Sequence, residues 1–191
     1  MAREKEYKAV IPLSDDFIQN KKINDILYGW IQEHSYYDIN LKTRIINKKD
    51  IKFSVMESEL SITRKTLSID FKYLVDNEYL LLDGLNENYI IKEIKGRFSL
   101  IGHTQLSHMV MSNYKNVIKV YCLLKAYYDM NKNDSFFTQT ILLDKIGYNS
   151  KTTSNHKMMR NIIDWLVSNK YLEYECIGSG IQIKHFIKKI S

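Results

Sequence analysis

Two groups of cationic and hydrogen-bonding side chains stand where helix-like patterns begin in this sequence. The first group consists of Thr63, Arg64, Lys65, Ser68 and Lys72. The second group consists of Lys151, Asn155, Lys157, Arg160 and Asn161. Guanidinium and carboxamide groups can make paired hydrogen bonds to base edges, and ammonium groups bind phosphates. These residue types along exposed helix faces favour double-stranded DNA as a partner.

The two groups divide into base-reading and phosphate-binding candidates. Arg64 and Arg160 are the strongest candidates for reading bases. The carboxamides of Asn155 and Asn161 have the same capacity for two hydrogen bonds. Thr63 stands in the N-cap position before Arg64, so backbone amides and cations should meet at one helix end. The candidates for phosphate binding are Lys65, Lys72, Lys151 and Lys157.

The charge of the 191-residue chain is distributed unevenly around a formal net charge of +6. Residues 40–72 hold eight Lys or Arg against four acidic residues, and residues 145–170 hold five against one. Residues 76–96 reverse the sign, with five acidic residues against two lysines. Because phosphates repel carboxylates, the segment around Asp83 and Glu87 is expected to form a packing surface or a protein-partner surface rather than to contact DNA.

Helical periodicity accompanies the positive charge in the first half of the chain. Apolar residues over 23–31 predict a first helix, and residues 48–60 predict a second. Thr63 then caps a third helix, and alternating residues over 79–82 and 89–94 predict two strands. The apolar residues that the third helix should bury are Leu67, Phe71, Leu74 and Val75.

The second half predicts the same order of helices. One helix spans residues 114–130, and Thr138 caps a second helix over residues 139–146. Gly147 then ends that helix in a left-handed turn, which glycine tolerates best. Ser150 and Ser154 are both suitable N-caps for the third helix, and the sequence does not decide which of them begins it.

A second hairpin is predicted over residues 171–177 and 181–187. Its tip, Gly178-Ser179-Gly180, carries no charge and offers flexible backbone amides. The basic residues that follow the tip are Lys184, His185, Lys188 and Lys189. Of the two hairpins, this one is therefore expected to lie along a phosphate backbone, with Ser179 and Lys184 as contacts.

The sequence contains an internal repeat. Residues 74–80 (LVDNEYL) and residues 166–172 (LVSNKYL) are identical at five of seven positions. Both heptapeptides lie where a helical pattern gives way to an alternating one. We therefore expect an α+β fold, mainly helical with small β-hairpins, arranged as two duplicated domains over residues 1–95 and 96–191.

Three helices followed by a hairpin, with a sharp turn before the third helix, resemble a winged helix-turn-helix domain in each half. Residues 60–66 (LSITRKT) are similar to the turn and recognition-helix start of many bacterial regulators, and Ser61 stands where many such turns carry glycine. Residues 121–125 (YCLLK), 136–141 (FFTQTI) and 143–148 (LDKIGY) resemble the corresponding module of replication initiators and replisome organisers from phages and plasmids of low-GC Gram-positive bacteria.

The resemblance implies sequence-specific binding of double-stranded DNA by a replication initiator or organiser of a mobile element, whose first hairpin contacts another replication or transcription protein. A transcriptional regulator acting as a repressor uses the same scaffold and stays open as an alternative. Tandem winged helices can also serve as protein interaction modules, which is the third alternative. Both a monomer and a homodimer fit the pattern, and the second unit is expected to contribute more to DNA binding.

Several other classes of protein are excluded by the sequence pattern. The chain has no phosphate-binding glycine loop, nucleophile elbow or HExxH motif, so no enzyme is expected. Its histidines are scattered and Cys122 and Cys176 lack metal-type spacing, so neither a metal site, a cofactor nor a disulfide is expected. The charged residues 1–6 and the lack of a long apolar run predict a cytoplasmic protein without a signal peptide or membrane span.

Overall fold

A computed structural model of the chain describes residues 8–85, 87–92, 96–131, 135–178 and 183–191. These residues form eight α-helices and nine short strands, which confirms the expected α+β class. Among the helices of these residues, none combines the length and the apolar character that crossing a bilayer requires.

The first half of the chain contains nine elements and one 3-10 turn, Lys48–Asp50, that precedes the third helix. In chain order they are β1 (Lys8–Pro12), α1 (Asp15–Ile18), α2 (Asp25–Glu33), β2 (Tyr36–Asp38), β3 (Thr43–Asn47), α3 (Phe53–Leu60), α4 (Arg64–Asp76), β4 (Leu80–Leu82) and β5 (Asn88–Ile91).

The second half contains eight elements within the described residues. In chain order they are β6 (Phe98–Gly102), α5 (His103–Val110), α6 (Val117–Asn131), β7 (Phe136–Phe137), α7 (Gln139–Lys145), α8 (Thr153–Ser168), β8 (Leu172–Ile177) and β9 (Lys184–Ile190). Residues 93–94 and 181–182, which the sequence assigns to strands, lie outside the described part of the chain.

One order of elements occurs in both halves. A helix, one or two strands, two helices and an antiparallel hairpin follow one another from α2 to β5 and again from α6 to β9. In both halves the last strand of the hairpin lies between its partner and the strand that precedes the second helix, giving the orders β3-β5-β4 and β7-β9-β8. The first half adds β2 at the edge beside β3, and β1 and β6 form a separate two-stranded sheet.

The chain divides into two compact units whose boundaries differ from those of the sequence repeat. Unit 1 contains Lys22–Ile118 with residues 8–10, and unit 2 contains Lys119–Ser191 with residues 11–21. Residues 96–118 therefore pack in the unit of the first half, although the sequence assigns them to a domain over residues 96–191.

In unit 1, the buried helix α2 fixes the two helices that follow it. The Asn24 side chain caps α2 and also donates a hydrogen bond to Asp70 Oδ2 of α4 at 2.8 Å. The indole of Trp30 donates to Glu59 Oε2 of α3 at 2.6 Å. Because partly buried hydrogen bonds of this kind have strict geometry, they set the orientation of α3 and α4 in the unit.

In unit 2, aromatic residues join α6 to the sheet. The Tyr121 hydroxyl of α6 donates to the Ser191 carbonyl at 2.6 Å, and burial raises the pKa of this phenol well above its usual range. The Phe137 ring of β7 stacks on the His185 ring of β9 with centroids 4.9 Å apart. These contacts hold the hairpin against the helix that begins the unit.

The predicted helix over residues 48–60 is wrong in its first part. Residues 48–50 form a 3-10 turn, and regular helix begins only at Phe53. The Lys48 amide donates to the Glu87 carbonyl at 2.9 Å, which continues the pairing of β3 with β5. The sequence missed β2 and β3 because their pairing depends on the distant hairpin and not on local periodicity.

The start of the third helix in the second half lies at neither predicted cap. Helix α8 begins at Thr153 after the N-cap Thr152, which makes no side-chain capping hydrogen bond. The Asn149 side chain instead accepts a hydrogen bond from the Lys151 amide at 2.9 Å and shapes the preceding turn. This local turn shifts the helix start away from Ser150 and Ser154.

Candidate nucleic-acid interface

Helix α4 presents its polar side to solvent because its apolar residues are spaced for the core. Leu67, Phe71 and Leu74 are buried, as predicted, whereas Val75 is half-buried. The structure leaves all five predicted binding residues of this segment exposed. These residues are Thr63, Arg64, Lys65, Ser68 and Lys72.

The N-terminal end of α4 is closed by side chains of the protein. Thr63 Oγ1 accepts a hydrogen bond from the Thr66 amide at 3.4 Å, which confirms the predicted cap. The Arg64 amide donates to Glu57 Oε1 of α3 at 3.0 Å. A carboxylate at this end occupies an amide and opposes the approach of a phosphate. Glu57 was not among the predicted residues, since no capping signature places an acid seven positions before a helix.

The turns that precede α4 and α8 each contain a residue in the left-handed conformation. Ser61 has φ +53° and Gly147 has φ +78°, so the left-handed turn predicted at Gly147 is confirmed. A Cβ atom at Gly147 would lie 2.4 Å from the Gln19 carbonyl oxygen, which also excludes a side chain on steric grounds. Serine adopts this conformation at a cost that glycine avoids.

Helix α8 and the turn before it expose four of the five predicted binding residues of this segment. The exposed residues are Lys151, Lys157, Arg160 and Asn161. Asn155 is half-buried and donates its side-chain amide to the Asn149 carbonyl at 2.8 Å, so this carboxamide takes part in the turn. The buried side of α8 consists of Met159, Ile162, Ile163 and Leu166.

The turn between α7 and α8 is organised by His156 and Asn149. His156 Nε2 lies 2.6 Å from the Ser150 carbonyl, and His156 Nδ1 lies 3.2 Å from Gln139 Oε1. Because a carbonyl can only accept, Nε2 carries a hydrogen and donates it. Neither residue was predicted to position the turn. An asparagine two residues before Lys151 was the available signal, since its side chain often accepts from the backbone two residues on.

The repeated heptapeptides form the same C-terminal cap at the ends of α4 and α8. The Tyr79 amide donates to the Leu74 carbonyl at 2.8 Å, and the Tyr171 amide donates to the Leu166 carbonyl at 2.9 Å. The residues before the two tyrosines, Glu78 and Lys170, both have positive φ, at +59° and +62°. These bonds satisfy the last carbonyls of each helix and turn the chain into its hairpin.

Two lysines of the second hairpin form ion pairs with glutamates on the neighbouring strand. Lys188 Nζ lies 2.6 Å from Glu175, and Lys189 Nζ lies 3.7 Å from Glu173. Lys184 Nζ lies over the Phe136 ring, 4.7 Å from its centroid. Burial lowers the pKa of His185 below its usual 6.5, which disfavours the charged form of this ring. The predicted contact Ser179 lies outside the described residues.

The first hairpin combines an acidic turn with exposed leucines. Asp83 Oδ1 accepts from the Glu87 amide at 2.9 Å, and Oδ2 accepts from the Asn88 side chain at 2.8 Å. Desolvation raises the pKa of Asp83, but these and other turn hydrogen bonds outweigh it and lower the pKa below 3.8. Leu85 at the tip is 81% exposed. The turn therefore fixes a negative charge beside an apolar side chain.

Comparison with protein-family models, with curated proteins and with solved structures finds no match for this chain. Within the described residues, no group of three or more His, Cys, Asp or Glu is arranged to hold a metal ion. The geometry of α4, α8 and the two hairpins is therefore the basis for a functional proposal.

Proposed function

We propose that this chain binds double-stranded DNA in a sequence-specific manner, with α4 and α8 as the recognition helices of two winged helix-turn-helix units. The observation that carries the proposal is the exposed cationic face on the last helix before the hairpin in both units. These faces include Lys65 and Lys72 on α4 and Lys157 and Arg160 on α8. A helix of this kind fits the major groove, where side chains meet base edges.

The order of elements supports this proposal. A winged helix-turn-helix unit has three helices, a strand after the first helix, and a terminal hairpin whose last strand pairs with that strand. Both halves of the chain contain these elements and the corresponding sheet arrangement, and the first half has the additional strand β2 before β3. The left-handed residues Ser61 and Gly147 supply the sharp turn between the second and third helices.

The unequal helix ends support a larger contribution from unit 2. At α4, the Glu57 carboxylate occupies the Arg64 amide. At α8, Thr152 makes no side-chain cap and the first turn contains no acidic residue. A phosphate near the start of α8 therefore meets less electrostatic repulsion than a phosphate near the start of α4.

The salt dependence of DNA affinity tests the proposal directly. If about six phosphates are neutralised, the slope of log affinity against log salt is about −5 on duplex DNA. Lys65→Gln reduces the magnitude of the slope by about one, because it removes one phosphate contact. Lys92→Gln is the matched control, since Lys92 directly follows β5, outside α4, and pairs with Glu78. A slope near zero for the unmodified chain contradicts DNA binding.

Within this proposal we favour a replication initiator or organiser of a mobile element, and the acidic first hairpin is the observation behind that choice. Its exposed Leu85 and the carboxylate of Asp83 suit a protein partner better than a phosphate backbone. Leu85→Ser should preserve DNA affinity but reduce maintenance of a plasmid that depends on the chain. Unchanged plasmid maintenance contradicts a role for this hairpin in recruiting a replication protein.

A transcriptional repressor is the second candidate on the same DNA-binding surface. Such a protein acts by occluding polymerase, so it needs α4 and α8 but not the exposed leucine of the first hairpin. Mapping the preferred site separates the two functions: iterated sites beside or within the gene support an initiator, and a single site overlapping a divergent promoter supports a repressor.

A further inference from the structure

Helix α4 carries an aliphatic residue on its exposed face that the core does not use. Ile69 is 60% exposed, whereas its neighbours Leu67 and Phe71 are buried. At helical spacing Ile69 lies four residues after Lys65 and three before Lys72, so the three side chains share one face. An apolar side chain between two cations is placed in the centre of the proposed DNA-binding face.

Helix α8 has a different chemistry at the corresponding positions. Aligning the repeated heptapeptides places Ile69 opposite Asn161 and Ser68 opposite Arg160. In the major groove, arginine pairs with guanine and asparagine with adenine, whereas an apolar side chain contacts the 5-methyl group of thymine. The two helices therefore offer different recognition chemistry, although their C-terminal ends are built alike.

We infer that Ile69 is a specificity-determining residue that contacts a thymine methyl group, so that unit 1 selects thymine in its part of the DNA site. The inference rests on the proposed DNA binding and specifies the base that α4 reads. Charge identifies duplex DNA as the occupant of this face, because Arg64, Lys65 and Lys72 complement the phosphates on either side of the groove.

The test uses deoxyuridine, which lacks only the 5-methyl group of thymidine. A preferred duplex is first selected from a random pool with the full chain, and each thymine is then replaced by uracil in turn. With the unmodified chain, at least one replacement weakens binding by about three- to fivefold, as expected for the loss of one buried methyl group. Ile69→Ala binds the thymine and uracil duplexes with equal affinity.

Val167→Ala controls for general effects of truncation, because it shortens an exposed aliphatic residue outside the α4 face that is 41% exposed near the end of α8. This variant retains the uracil sensitivity that Ile69 produces. Thermal unfolding of Ile69→Ala should match that of the unmodified chain, because the side chain is exposed.

The outcomes separate this inference from the proposed function. Sequence-specific, salt-dependent binding without any uracil effect, or with the same uracil effect in Ile69→Ala, overturns the inference while the proposed function stands. A random pool that yields no preferred duplex, together with a salt slope near zero, overturns both. In that case the apolar centre of the α4 face is free to serve a protein partner instead.

Discussion

The helices α4 and α8 have the same structure at their C-terminal ends but differ in structure at their N-terminal ends. Residues 74–80 and 166–172 form the same C-terminal cap, with left-handed residues at Glu78 and Lys170. At the other end, α4 is closed by a threonine cap and the Glu57 carboxylate, whereas α8 follows a turn shaped by asparagine and histidine side chains.

This difference separates the part of the repeat that shapes the fold from the parts that vary between the two units. The C-terminal cap of each helix directs the chain into the hairpin of the same unit. The N-terminal ends and the exposed faces differ in charge and in hydrogen-bonding groups. Under the proposed function, these are the parts that meet DNA, and the two units are not interchangeable.

The largest effect is expected from truncating the shared leucine of the two caps. Leu74→Ala and Leu166→Ala each remove a fully buried side chain, so each should lower the free energy of unfolding by about 2–5 kcal/mol. Chemical denaturation measures both. Losses that differ by more than a factor of two would show that the equivalent positions do not carry equivalent structural roles.

The next effect concerns DNA affinity and compares two arginines. Arg160→Ala should cost about 1–3 kcal/mol of binding free energy and relax the preference for one base pair, because a bidentate contact is lost. Arg64→Ala should cost less, since Arg64 begins a helix whose amide is already held by Glu57. Binding to a panel of duplexes measures both variants, and a larger loss for Arg64→Ala reverses the assignment of unit 2 as the dominant unit.

A smaller effect is expected from the turns before α4 and α8. Ser61→Gly should raise the free energy of unfolding by about 1 kcal/mol, because glycine relieves the left-handed strain. Gly147→Ala should lower it by at least as much, since the added Cβ also approaches the Gln19 carbonyl. Thermal unfolding of both variants checks the contrast, and a stabilising Gly147→Ala substitution would refute it.

The smallest effects are pH-dependent and differ between the hairpins. The pKa of His185 is lowered by burial. Its contribution to the free energy of unfolding is therefore complete above pH 6.5 and declines as the pH falls below that value. The pKa of Asp83 is also lowered. Its contribution to the free energy of unfolding is therefore complete above about pH 3.8 and declines in more acidic solution. His185→Gln and Asp83→Asn should each flatten the stability profile only in its own window, as measured by unfolding across pH.

The sequence predicted those features that local chemistry controls. Thr63 and Thr138 cap their helices through side-chain oxygens, and Gly147 takes the left-handed turn. It failed where a distant segment decides the conformation, as at residues 48–52, whose apolar spacing suggested a helix. The sequence also gave no sign of the role of Glu57, because no residue near Arg64 indicates that α3 places a carboxylate beside the Arg64 amide.

The sequence by itself determined the two repeated segments, the apolar stripes of α4 and α8 and the separation of charge between helices and first hairpin. These features follow from residue type and from periods of two or 3.6 residues, which need no knowledge of distant contacts. Only the tertiary structure decided that β3 pairs with β5, that residues 96–118 belong to unit 1 and that Lys188 and Lys189 are paired with acids. Those outcomes depend on which segments meet in space, and local sequence carries little record of it.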